Sequence, residues 1–161
     1  MQDIVLRSPF PAEDVPRIWN WIEPFRARVS DDFSPKTMAE FLTHFSALAA
    51  RGRTWGVYRA EELGGVIWCE PSSPRVCAAG CAFKRSFWGA KTAVPALASA
   101  SAEMLASFPK VSIAVMRGNK ALISALAQVG ARREATLRGH TARAGKPIDI
   151  VVMAMFRKET R

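Results

Sequence analysis

The stretch Phe83-Lys84-Arg85-Ser86-Phe87-Trp88-Gly89-Ala90-Lys91 decides how the rest of the chain is read. Before it, Arg75 to Phe83 reads as a strand rich in small residues: Cys77, Ala78, Ala79, Gly80, Cys81 and Ala82. Small residues on a central strand let something approach the backbone closely. After it, Val94, Leu97, Ser101, Met104, Leu105 and Phe108 mark the inner face of a helix that Pro109 closes. A strand that runs through a glycine into a helix leaves consecutive N–H groups without intrahelical partners. With the helix dipole behind them, they form a cradle for an anion such as phosphate. The alternative is a packed turn at Phe87-Trp88-Gly89.

On the N-terminal side, Ile4 to Leu6 reads as an edge strand closed by Pro9 and Pro11. Val15, Ile18, Trp19 and Ile22 make an amphipathic helix, with Pro16 in its first turn and Pro24 at its end. Ser34-Pro35 predicts the start of a second helix, whose stripe is Met38, Phe41, Leu42, Phe45 and Leu48 and whose stop is Gly52. Thr54–Tyr58 and Leu63–Cys69 read as paired strands turned by Arg59–Glu62, and Pro71 and Pro74 bracket the next turn.

On the C-terminal side, Val111–Val115 alternates as a strand. Asn119 caps a helix with the stripe Leu122, Ile123, Leu126 and Val129, stopped at Gly130. Glu134–Gly139 reads as a strand, and Ile148–Phe156 as a strand buried on both faces. The order predicts an α/β fold, a mixed central sheet of about seven strands with about four helices on both faces. We expect a single domain over residues 1–161.

The three cysteines, Cys69, Cys77 and Cys81, are not a disulfide framework, and they lack ligand-spaced partners for a metal. Neither a basic leader nor a run of about 18 apolar residues is present, so a cytoplasmic protein with no membrane span is expected. The net charge of +9 favours phosphate-bearing or acidic partners. Its richest part is Arg132, Arg133, Arg138, Arg143, Lys146, Arg157, Lys158 and Arg161. Without stacking aromatics interleaved among these cations, nucleic acid is not the expected partner.

From Phe83 onward the sequence resembles the GNAT superfamily of acyl-CoA N-acyltransferases, and most closely its ribosomal-protein-acetyltransferase-type branch. The residues that carry the resemblance are Phe87-Trp88-Gly89 after a strand, Asn119 after the next strand, and Gly130-Ala131-Arg132-Arg133-Glu134. Arg138 and Gly145-Lys146-Pro147-Ile148-Asp149 complete it. The resemblance implies acetyl-CoA as cosubstrate and no metal. It implies transfer of the acetyl group to a primary amine by direct attack in a ternary complex. The acceptor is left open between a protein N-terminus and a small molecule, and a homodimer is left open too.

The cofactor-binding residues it implies are Ala82, Phe83, Ser86, Phe87, Trp88, Gly89, Ala90, Lys91, Thr92, Asn119, Leu122 and Leu126. Ser86 replaces the family's long donor and Lys91 its second small residue. Lys91 either crowds the loop or turns its ammonium outward to a phosphate. Asn119 either bonds the pantetheine arm or caps its helix. Asp149 is expected to be structural.

Where many family members carry an acidic tyrosine, this chain has Leu126, and where the branch often has serine it has Leu122. Ser124 lies about 200° around the helix from Leu122 and points away. Tyr58 is expected in the core, and His44 and His140 at the surface. Glu70 is the best-placed carboxylate for a water-mediated base, with a turn carboxylate before Pro71 as the alternative. Trp21 lies off its helix stripe and is open to an acceptor groove or a dimer contact. The leucines keep a second function open: a non-catalytic module of the same fold that binds CoA or a protein partner.

Overall fold

The computed structural model describes residues 3–157, so Lys158 and Arg161 of the basic group and the start of the N-terminal reading lie outside the described residues. Seven strands form one sheet: β1 Ile4–Arg7, β2 Arg53–Arg59, β3 Glu62–Ser73, β4 Val76–Phe83, β5 Lys110–Met116, β6 Arg132–Arg143 and β7 Lys146–Phe156. Their spatial order is β1-β2-β3-β4-β5-β7-β6. Every neighbouring pair is antiparallel except β4 and β5. The α-helices are α1 Val15–Ile22, α2 Arg26–Val29, α3 Met38–Arg51, α4 Ala93–Ser107 and α5 Lys120–Gln128.

Successive strand residues point to opposite faces, and the core divides accordingly. Val66 and Tyr58 join Val15, Ile18 and Phe45 in a cluster under α1 and α3. Ile67, Cys77, Val111 and Val151 join Leu97, Met104 and Leu126 in a larger cluster under α4 and α5. The mixed α/β expectation therefore holds, with helices on both faces.

Several element ends differ from the sequence reading, each for a local reason. Thr37, not Ser34, caps α3: its Oγ1 accepts from the Glu40 N–H at 3.2 Å, and Glu40 reaches back to the Lys36 N–H at 2.7 Å. This reciprocal arrangement resembles a capping box. Ser34 instead closes a turn on Asp31. α4 ends at Ser107, and Phe108 is its extended C-cap. β3 runs on through Pro71 to Ser73, where β2 has already ended opposite Cys69 and demands no donor from the proline.

β6 continues past Gly139 because a bulge between Leu137 and Thr141 absorbs the extra residues. β7 is not buried on both faces. Val152 is half-buried and Phe156 is 57% exposed, on a face that α1 and α3, packed over β2, β3 and β4, leave open.

Candidate active site

β4 and β5 pair only at Val76–Lys110, Cys77–Val111 and Ala78–Ser112, and then diverge. β4 continues five residues further, paired to β3 as far as Phe83–Gly65. Its β5-facing amides from Ala79 to Phe83 therefore border a slot, as does the far half of β5. A strand edge of this kind is a template for another extended chain. Ala79, Gly80, Cys81 and Ala82 keep the slot free of bulk, and all four are half-buried. On the α4 side, Ile67, Cys81, Leu97, Ile113 and Leu126 line an apolar cavity beneath it.

At the open end of the slot, the chain turns into α4. Gly89 has φ +117, and a Cβ there would meet no atom within 4 Å. The N–H groups of Gly89, Ala90 and Lys91 donate to no acceptor among the described residues, whereas those of Phe87, Trp88 and Thr92 are used within the loop. Lys91 is exposed and does not crowd the turn. Ser86 and Ala90 are exposed beside it, and Thr92 and Ala93 are buried where α4 begins.

Two aromatic rings hold this loop down, and the residues that admit them escaped the sequence reading. The fully buried Phe87 ring occupies the space a Cβ at Gly64 would take, 2.1 Å away, and the Arg59 guanidinium stands 4.6 Å from its centroid. Phe83 lies likewise over Gly65 and packs on Trp88 at 5.2 Å. The signal was the Gly64-Gly65 pair in an otherwise branched strand, since glycine in a strand marks a close approach. The Lys84 N–H donates to the Gly64 carbonyl at 2.8 Å, tying the loop to β3.

α5 starts at the open end of β5. Asn119 caps it, accepting from the Leu122 N–H at 3.1 Å. Leu122 and Leu126 are both buried under the sheet, and their hydrocarbon side chains have no proton to give there. Ser124 is exposed on the other side. Glu70 faces Ala78 in register, at the closed end of the slot, and its carboxylate is paired with Arg51 at 3.0 Å.

Tyr58 is buried on β2, two strands from the β4 edge of the slot, and its hydroxyl donates to Asp14. Burial, followed by that partner, raises its pKa above the ordinary value. His44 and His140 are exposed. Burial pushes the Cys81 thiol up to about 12. The Cys77 thiol is also raised, by its hydrogen bond with Cys69 and by burial. No group of metal-ligating side chains occurs among the described residues. No described helix is long and apolar enough to cross a membrane.

On the face opposite α4, Ala114 is exposed in mid-strand, and Trp21 on α1 is half-buried with the Lys84 ammonium 5.4 Å from its ring. Beyond β5, Asp149 on β7 holds two neighbours. It accepts from the Gly139 N–H at 3.0 Å and from Arg117 at 2.9 Å. These bonds, the Gly139 N–H first, hold its carboxyl below the usual carboxylate range.

The chain is thus an α/β protein whose one parallel strand pair opens toward a helix-start loop with free amides, a place suited to an anion. The sequence profile described as "Acetyltransferase (GNAT) domain" matches residues 3–132, and the chain belongs to that family. Solved structures share its fold. RimJ from Mycobacterium smegmatis in complex with CoA-disulfide is 19% identical, with a TM-score of 0.78 over 95% of this chain and 81% of that one. YncA, a putative acetyltransferase from Salmonella typhimurium with its cofactor acetyl-CoA, is 11% identical, with a TM-score of 0.80 over 98% and 95%. Spermidine N-acetyltransferase from Vibrio cholerae, in complex with CoA and spermine, is 15% identical, with a TM-score of 0.78 over 96% and 95%. No curated protein sequence matches the chain.

Proposed function

We propose that this protein is an acetyl-CoA-dependent N-acetyltransferase that acts on a primary amine in a ternary complex, and that the β4–β5 slot with the Ser86–Thr92 loop is its CoA site. One observation carries the reading: the free N–H groups of Gly89, Ala90 and Lys91 lie at the open end of a slot edged by unpaired strand amides. Pyrophosphate fits the first feature by charge and hydrogen bonding. An extended arm carrying amides fits the second, because it pairs with a strand edge as another strand would. The neighbours solved with CoA or acetyl-CoA support both assignments, and the RimJ neighbour supports the ribosomal-protein-acetyltransferase-like branch.

Acetyl-CoA, when bound, supplies the activated acetyl thioester. The chain's part is placement and polarity. Slot amides of β4 are set to donate to the thioester carbonyl, and preorganised backbone donors need no reorganisation during reaction. Holding the amine and the carbonyl in contact contributes up to about 7–11 kcal/mol. Leu122 and Leu126 exclude water from the thiol end and give it no proton. The proton for the departing thiolate is therefore left to solvent or to the nitrogen of the attacking amine, which becomes positively charged once its bond to the carbonyl carbon forms. In this reading Lys91 serves the phosphates and Asn119 the arm, and Asn119 also caps α5.

Glu70 is held by Arg51, so we expect Glu70→Gln to leave kcat within about twofold. A drop of about 100-fold or more, the usual effect of losing a general base, would instead make Glu70 that base. The buried leucines also favour a second reading, a CoA-binding module without turnover. Thiol release from acetyl-CoA over a panel of peptide, amino-acid and polyamine amines separates the two. Turnover with any amine excludes the inert module, and CoA binding without turnover excludes the enzyme.

A further inference from the structure

β4 and β5 stay paired through Ala78–Ser112, so Ala79 and Ile113 are the first residues past the fork. Both stand on the α4 face of the sheet, Ile113 within the larger core cluster and Ala79 packed against it. The apolar cavity beneath the slot begins there. Leu97 and Ser101, four residues apart on α4, and Leu126 of α5 wall it from above, and Cys81 lies next along β4 on the same face. Ile67, paired with Cys81 in register, closes it on the side away from β5.

The gap exists because short side chains meet it. Ala79, Gly80 and Ser101 are too short to fill the space between Leu97, Ile113 and Leu126. The wall residues of β3, β5, α4 and α5 are buried, whereas Ala79, Gly80 and Cys81 of β4 keep partial exposure. The mouth of the cavity therefore lies on the β4 edge, in the slot itself.

The space holds about one water-sized group. Water is a poor occupant, since it needs about two to four polar partners and this wall is almost wholly apolar. An empty void deprives its lining of dispersion contacts, and close-packed interiors keep few such voids. An apolar group that enters from the slot suits the space better than either. A CoA held by its pyrophosphate at Gly89–Lys91 and by its arm along Ala79–Phe83 has its sulfur at the fork end of the slot. The group on that sulfur then stands at the cavity mouth.

We propose that this cavity is an acyl pocket: it takes the terminal methyl of an acyl group one carbon longer than acetyl, so that a propionyl thioester is a donor bound more tightly than acetyl-CoA, and Leu97 and Ser101 set the length it accepts. The inference rests on the CoA reading above. The chemistry of transfer is unchanged. The amine nitrogen bonds the carbonyl carbon, the carbon–sulfur bond breaks, and the proton that the nitrogen sheds ends on the sulfur, directly or by way of solvent. An acetyl group reaches the fork and leaves the cavity empty. One more carbon adds the burial of an apolar group, which tightens binding about fourfold. A further carbon meets Leu97 and Ser101 in a packed wall, where overpacking cancels the gain.

The test is calorimetric binding of CoA and of its acetyl, propionyl and butyryl thioesters to the full chain, which needs no acceptor. Wild type is expected to bind propionyl-CoA about fourfold more tightly than acetyl-CoA, and butyryl-CoA no more tightly than propionyl-CoA. Ser101→Val, which adds bulk inside the cavity, is expected to bring propionyl-CoA within about twofold of acetyl-CoA. Leu97→Ala, which lengthens the cavity, is expected to make butyryl-CoA the tightest of the three, about fourfold or more above acetyl-CoA. Both variants should bind unacylated CoA within about twofold of wild type, which shows the slot to be folded. Equal affinity for acetyl-CoA and propionyl-CoA in wild type overturns the proposal, and so does a propionyl advantage that survives Ser101→Val. No binding of CoA itself at about 1 mM overturns the CoA reading, and this proposal with it.

Discussion

A methyl group added at Gly89 would touch nothing, yet φ +117 is a backbone conformation that side-chain-bearing residues rarely adopt. Gly89→Ala is therefore a test of geometry rather than of space. The loop either keeps its shape at a cost of about 1–3 kcal/mol or relaxes and misdirects its amides. We expect CoA affinity to fall about 5- to 150-fold by calorimetry, with the sheet intact by circular dichroism. Gly64 and Gly65 answer to the opposite constraint, since there a Cβ would collide with the rings of Phe87 and Phe83.

The sequence reading found Gly89 because a glycine between strand and helix is a local signal. It missed what Gly64, Gly65 and Asp32 do because their partners lie far along the chain: Phe83 and Phe87 for the glycines, Ala144 and Gly145 for the aspartate. No spacing rule links such positions. Lys91, which from sequence alone was either an obstruction or an outward cation, is exposed.

Among the elements, interiors were legible and ends were not. The stripes of α3, α4 and α5 face the core because their apolar residues recur at helical spacing. The start of α3 was misplaced by three residues because Ser34-Pro35 and Thr37 with Glu40 are both start signals. The second won by satisfying two backbone donors where the first satisfies one. Thr37→Ala should therefore cost about 1 kcal/mol in urea unfolding and leave CoA affinity unchanged. A loss below about 0.3 kcal/mol would show the cap to be idle.

The end of β6 was misread because a bulge looks like a strand stop when its support, Asp149, lies on the next strand. Asp149 has its pKa lowered in the folded protein, so its contribution is present above the ordinary carboxylate value of about 3.9 and is lost as pH falls through the lowered folded value. The Gly139 amide resonance should hold its position down to about pH 4 and move only below it. Movement between about pH 5 and 7 would contradict this bond.

At the scale of the whole molecule, the mixed sheet followed from element order, whereas the divergence of β4 from β5 did not. Parallel pairing that stops after three residue pairs leaves no local mark beyond a run of small residues. The hydrogen bonds between residues 30–32 and 141–145 leave no local mark either, since only the folded chain brings those residues together. The same architecture shapes the expected pH dependence. With leucines at both acid positions and burial raising Cys81 to about 12, neither the α5 face nor that thiol supplies an acid near neutral pH. The dependence of kcat/KM on pH should then rise with the free-amine fraction of the acceptor and show no falling limb below about pH 9. A bell-shaped profile would mean that a protein acid takes part.

In the proposed site, backbone amides at the helix start and the slot edge hold CoA. An amide NMR titration with CoA reads those groups one by one. Saturable shifts are expected at Gly89, Ala90 and Lys91, and along Ala79–Phe83, with a dissociation constant at or below about 1 mM, the upper end of usual substrate constants. Unmoved resonances at these positions, at that concentration, would contradict the proposed site.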